Sequence, residues 1–294
     1  MRRWFALCSL AVCGLISVGQ FLSAKALVVR MMSTPEKVVA ADCIVIGKIV
    51  AMEDKAVEVE LTPGAPKVSY KVASIKIDDS IAGAKGLTHV RVGFVPPPPA
   101  PPTGPGGPPI RIRRPGLNLN LEVGQEGVFF LSKFAQSDFM VIPPRCQFID
   151  KKSADYDKQV ALVRKAVKVI GEPVKALKAE KQGDRFEAAA IMLQKYNSYP
   201  ANRTGKVVRE PINAEESKLI LTALRDADWS KTDDAMMNPL ALFQRLGLQP
   251  KDGFQYPRVQ PGQDFNKVMQ EAAKKWLKEN ADKYRIQQWV EVKN

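Results

Sequence analysis

The chain has 294 residues, 45% of them hydrophobic and 26% charged, a balance that excludes the disordered and fibrous classes. Lysine and arginine number 44 against 31 aspartates and glutamates, a net charge of +13. That surplus favours anionic partners such as membrane surfaces, wall polymers or acidic proteins. Nucleic acid is not expected, because no recognition motif accompanies the charge.

Arg2 and Arg3 precede an apolar run from Trp4 to Leu22, and Ser23-Ala24-Lys25-Ala26 then offers a small-residue A-x-A site. This order is that of a secretory signal peptide over residues 1–26, cleaved after Ala26 to leave Leu27 first. An uncleaved anchor is the rival reading, since the run is close to the roughly 20 residues that span a bilayer; the small-residue site favours cleavage. Leu10-Ala11-Val12-Cys13 loosely matches a lipobox, but Val12 is bulky and the apolar run continues past Cys13. Loss of Arg2, Arg3 and Lys25 lowers the net charge to +10. No later apolar stretch reaches spanning length, so the expected product is exported, periplasmic or secreted, without a transmembrane segment. Two cysteines remain, Cys43 and Cys146, and in an oxidising compartment they are natural disulfide partners.

From Val38 to Asp150 the pattern is strand-like. Cys43 to Val50 is short, β-branched and nearly all apolar; Ala56 to Leu61, Val68 to Ile77 and His89 to Phe94 alternate. Val128 to Leu131 and Phe139 to Ile142 supply two more runs, and six such runs with turn signals between them predict a small all-β barrel or sandwich. Between them Pro96 to Pro109 carries nine prolines and three glycines in fourteen residues, followed by Arg111, Arg113 and Arg114. Proline fixes φ and lacks a donor, so no sheet runs through this stretch; Pro96, Pro97, Pro98 and Pro99 are expected as polyproline II in a solvated insertion.

Ala41-Asp42-Cys43-Ile44-Val45-Ile46-Gly47-Lys48-Ile49 resembles the first strand of secreted netrin-like domains, the OB-fold class that includes tissue metalloproteinase inhibitors. Tyr70-Lys71-Val72 running to Ile77 resembles their long central strand, and Val123 to Leu131 the strand that follows. The resemblance implies an OB-like barrel. It does not carry over protease inhibition, which needs an N-terminal cysteine where this chain has Leu27.

After Ser153 the period becomes helical. Val160, Val163, Val167 and Ile170 form one stripe, ended by Gly171 and Pro173; Phe186, Ala189, Ala190, Leu193 and Tyr196 form a second. Asn213 is the expected cap of a third helix, with Glu216 reaching back in a capping box. Asn238, Pro239 and Gly247 delimit a fourth, and Asp264 to Trp276 a fifth, while Tyr284 to Val292 reads as a short strand or a last turn. No repeat at a fixed period supports a helical array. Trp276 to Asn280 leading to Tyr284-Arg285-Ile286 is similar to the ends of exported bacterial proteins, a likeness that brings no activity with it. The expected fold class is therefore α+β and multidomain: an OB-like β-barrel over 27–150 with a Pro-rich insertion at 96–115, then an α-helical domain over 151–294.

Chemistry is harder to find. His89 is the single histidine, and it alternates in a strand without a second imidazole to share a metal. No zincin, nucleophile-elbow, P-loop or dinucleotide motif occurs, and the two cysteines lack zinc-site spacing, so no cofactor or metal is expected. Asp226, Asp228, Ser230, Thr232 and Asp234 alternate like a calcium loop, but Lys231 stands where glycine is needed and Met237 where the bidentate glutamate belongs. Cations from Lys158 to Lys178 read as a solvated helix face, with an anionic surface as the alternative. Asn202-Arg203-Thr204 fits a glycosylation sequon that matters only in a eukaryote. The expectation is an exported, non-enzymatic binding or scaffolding protein whose partner is a protein or an anionic envelope component. The alternatives are a hydrolase with two carboxylates, or an adaptor presenting Pro96–Pro99 and its arginines.

Overall fold

The computed structural model describes residues 31–60, 64–96, 119–134, 137–143, 145–200, 205–230 and 237–292. The signal-peptide positions Ala24, Ala26 and Leu27 lie outside the described residues, as do Pro97, Pro98, Pro99, Arg111, Arg113 and Arg114, the sequon, and Thr232 and Asp234.

The first described element is a helix where strand-like residues were expected, α1 (Thr34–Ala40). Its start signal is local: Pro35 sits in the first turn, and the Glu36 carboxylate accepts the Ser33 N–H at 2.8 Å. Then come β1 (Cys43–Met52), β2 (Val57–Glu60), β3 (Lys67–Ala82), β4 (His89–Phe94), β5 (Glu126–Leu131), β6 (Met140–Val141) and β7 (Ile149–Asp150). They form one seven-stranded mixed sheet in the order β6-β4-β3-β1-β5-β7, with β2 paired to β3. All pairings are antiparallel except β4 with β6.

The sheet is open, and the expected barrel is not formed. Closure would need the two terminal strands to pair along their length. Here the termini are β6 and β7, two residues each, at opposite ends of the order with no ladder between them. The apolar face is buried instead against helices: α1 packs on β5, and α2 (Tyr156–Gly171) on β3 and β7. The OB architecture implied by the netrin-like resemblance is corrected accordingly. The short terminal strands also limit the exposed edge.

The second half continues with α3 (Pro173–Leu177), α4 (Gln182–Asn197), β8 (Lys206–Pro211), α5 (Ala214–Arg225), α6 (Pro239–Arg245), α7 (Phe265–Asn280) and β9 (Gln287–Val292). Helix α4 lies at the centre, against α1, α2, α3, α5, α6 and β9. That position explains its composition, since Ala188, Ile191 and Met192 are buried as well as the expected stripe, and no solvent-facing side remains along its middle. Strand β9 resolves the ambiguous end of the chain: it pairs with β8, a partner not expected from sequence. Packing is continuous from sheet to helices, with Ile44, Val45 and Phe130 in one cluster with Val163, Leu193, Leu224 and Ile286.

Helix caps are as the side chains dictate. Asn213, Asn238 and Asp264 each accept two backbone N–H groups of the first turn. Glu216 departs from expectation, because its carboxylate turns inward and accepts the Tyr196 hydroxyl between α4 and α5. Ser217 is fully buried next to it, donating to the Tyr284 carbonyl at 3.1 Å and accepting the Ile286 N–H at 2.9 Å. These bonds fasten the start of α5 to the strand that follows α7.

Candidate binding groove

A groove of about 1290 Å³ opens where the sheet meets the end of α4. Its floor is aromatic. Tyr70 comes from β3, while Phe134 and Phe139 flank the short stretch between β5 and β6; their ring centroids lie 5.4 to 5.8 Å apart. Val59 and Val72 back this trio in a small core separate from the main one. Gly93 on β4 makes the arrangement possible, since a Cβ there would fall 2.2 Å from Phe139 Cε2. Burial pushes the Tyr70 hydroxyl's pKa up, as expected for a phenol on an apolar floor.

The acids along the walls are already engaged. Asp42 accepts the Lys133 N–H at 2.8 Å. Asp138 pairs with Arg91, which also grips Glu53 through two bonds of 2.8 and 3.0 Å. Arg145 and Lys195 also line the groove, and neither has an ion-pair partner among the described residues. Arg145 is the one described non-glycine residue with positive φ, at 63°. At the far end, exposed Tyr199 meets Trp289 edge-on at 5.2 Å, and Arg209 stacks over the same indole at 4.5 Å.

A second cleft of about 740 Å³ lies between α1, α2 and α4. A chain of side-chain bonds crosses it: Thr34 donates to Gln159, and both Gln159 and Ser153 donate to Asp155, whose pKa they lower. Asp150 accepts the Lys152 N–H and Glu187 pairs with Lys165. Lys37 rides over the Phe130 ring at 5.6 Å, and burial lowers its pKa against a smaller opposing pull from Cys146. Asp150, Asp155 and Glu187, the carboxylates lining this cleft, each have a hydrogen-bond or ion-pair partner.

The sequence-selected residues fall elsewhere. Cys43 begins β1, Cys146 lies between β6 and β7, and both are buried free thiols here. Burial raises Cys43 to about 11, with Asp42 adding to the effect, and Cys146 to about 12 against the pull of Lys37. Neither thiol is an activated nucleophile. His89 is exposed, and its ring nitrogen lies 3.2 Å from the Thr88 hydroxyl. Asp226 is paired with Arg225, and Asp228 accepts from Ser230, so these two aspartates of the calcium-like alternation lie at the end of α5. The basic stretch is largely neutralised: Arg164 pairs with Asp79, Lys165 with Asp184 and Glu187, Lys175 with Glu172, and Lys178 with Glu215. Pro96 follows β4 close to the groove-lining Val95. Among the described residues no cluster of three histidines, cysteines or acids could hold a metal, and no helix is long and apolar enough to cross a membrane.

The residues that build the groove were not singled out in the sequence, for they come from six separate stretches of chain. The local signal that could have found them is Gly93 inside an alternating strand, which marks a close approach. No protein-family model matches the chain, and no curated protein matches its sequence.

Proposed function

We propose that the chain is an exported, non-enzymatic binding protein whose recognition surface is the groove floored by Tyr70, Phe134 and Phe139. Export rests on the order of charges, apolar run and small residues over 1–26. One observation carries the binding reading: half-buried Tyr70 and Phe134, backed by the buried Phe139 ring, line a groove large enough for a ligand or an extended segment of one. The acids beside it, Asp42 and Asp138, are held by the Lys133 N–H and by Arg91 rather than aimed at a reacting centre, which supports binding over chemistry.

N-phenyl-1-naphthylamine, a neutral apolar fluorophore, tests the reading. Its emission should rise saturably with the wild-type chain and weaken with Tyr70→Ala or Phe134→Ala, both checked for native circular dichroism. No saturable binding by the wild type, or equal binding by both variants, would remove the groove from consideration.

A further inference from the structure

The groove pairs an apolar floor with two cations, Arg145 and Lys195, that form no ion pair among the described residues, and this combination points to a ligand class. Asp42 and Asp138, the acids on its walls, are occupied by the Lys133 N–H and by Arg91. Arg145 and Lys195 make no ion pair among the described residues, although both are exposed and reach the groove from different elements. Lys195 sits in the last turn of α4, where a cation ordinarily serves the carbonyl end of its own helix. Here the side chains of Asn197 and Ser198 already donate to the Leu193 and Gln194 carbonyls, at 3.0 and 2.8 Å. Its ammonium is therefore available to a ligand.

Resting on the binding reading above, we propose that the groove takes a single-chain anionic amphiphile, a long-chain carboxylate. The hydrocarbon lies on Tyr70, Phe134 and Phe139, and the carboxylate is held by Arg145 and Lys195. A planar guanidinium meets a carboxylate through two parallel N–H bonds, whereas the lysine contributes a point charge. The volume, about 1290 Å³, slightly exceeds the roughly 300–1,000 Å³ of small-molecule sites and leaves room for an extended chain.

The experiment displaces bound N-phenyl-1-naphthylamine with dodecanoate and, separately, with dodecyltrimethylammonium, which has the same chain and the opposite head charge. Dodecanoate should compete about tenfold more strongly, the scale of a charge-assisted hydrogen bond, and the advantage should shrink in high salt. Arg145→Gln with Lys195→Gln should abolish that preference, read as the ratio of the two amphiphiles' competition against each variant's own fluorophore affinity. Lys85→Gln with Lys251→Gln, the same change of charge on exposed positions elsewhere, should leave the preference intact. Equal competition by the two amphiphiles, or a preference lost equally in both double variants, would overturn the proposal and leave the binding reading standing. Failure of the neutral fluorophore to bind the wild type would overturn both.

Discussion

Replacing Ser217 with alanine removes two hydrogen bonds from a place that water does not reach. The hydroxyl donates to the Tyr284 carbonyl at 3.1 Å and accepts the Ile286 N–H at 2.9 Å, with Ser217 0% and Ile286 2% exposed. Alanine fits the space but leaves the Ile286 N–H without a partner, and a buried unsatisfied group costs about 1–3 kcal/mol. The Tyr284 carbonyl is only half buried and adds less, so the loss is about 2–4 kcal/mol. Arg285 and the Ile212–Ile286 backbone bond still tether the segment, which keeps the effect from growing into global unfolding. At roughly 2–4 °C per kcal/mol for a chain of this size, the melting temperature should fall by about 4–16 °C. Calorimetry on Ser217→Ala and on the exposed control Ser69→Ala measures the shift, and hydrogen exchange at the Ile286 amide reports its site. A melt within about 1 °C of wild type, with that amide still protected, would refute the claim that this hydroxyl holds α5 to the end of the chain.

Gly93→Ala should destabilise by about 1–3 kcal/mol, because the new Cβ would meet the buried Phe139 ring at 2.2 Å; binding of the neutral fluorophore should fall in parallel, and an unchanged melt would contradict the packing. Glu126 is held at about 2, from its usual 4.5, by hydrogen bonds from Lys48 and then Lys151. A depressed folded-state pKa contributes stability above the unfolded value and loses it as pH falls through the folded one, so the melt difference between wild type and Glu126→Gln should be constant above about pH 5 and vanish near pH 2. The difference should also shrink in salt, as the pair is exposed; a pH-independent difference would show that the ion pairs do not contribute. Intact mass of exported chain should match Leu27–Asn294, and retention of Met1 would sink the expectation of cleavage after Ala26.

Local rules made much of the fold legible. Cys43 to Val50 and His89 to Phe94 announced their strands by composition and alternation, and Asn213, Asn238 and Asp264 are caps because a short polar side chain reaches two free N–H groups. What stayed hidden depends on partners distant in sequence. Lys206 to Pro211 is short, charged and ends in proline, so only its pairing with β9 makes it a strand. Whether six β-runs curl into a barrel depends on what meets the terminal strands, and here helices α1 and α2 supply the burial instead. Glu216 has the spacing of a capping box, yet a buried tyrosine offers it a partner that the spacing does not reveal. Helix α1 was readable from Ser33, Pro35 and Glu36, but Val38 and Val39 drew the eye to a strand. The groove is the least legible part, since Tyr70, Phe139, Arg145 and Lys195 acquire meaning only together.

The register of β8 and β9 has a mechanical consequence. Lys206 pairs with Val292 at one end of the ladder and Pro211 with Gln287 at the other, with α5, α6 and α7 strung between the far ends. The chain therefore enters and leaves this clip at the same end. A pull along the polypeptide, as from a threading motor, meets the rungs one at a time, beginning at Lys206 and Val292, and peels them apart like a zip. The three enclosed helices bear no load until the last rung at Pro211 gives way. Resistance to pulling thus resides in the rungs nearest the tension, which break one after another rather than together.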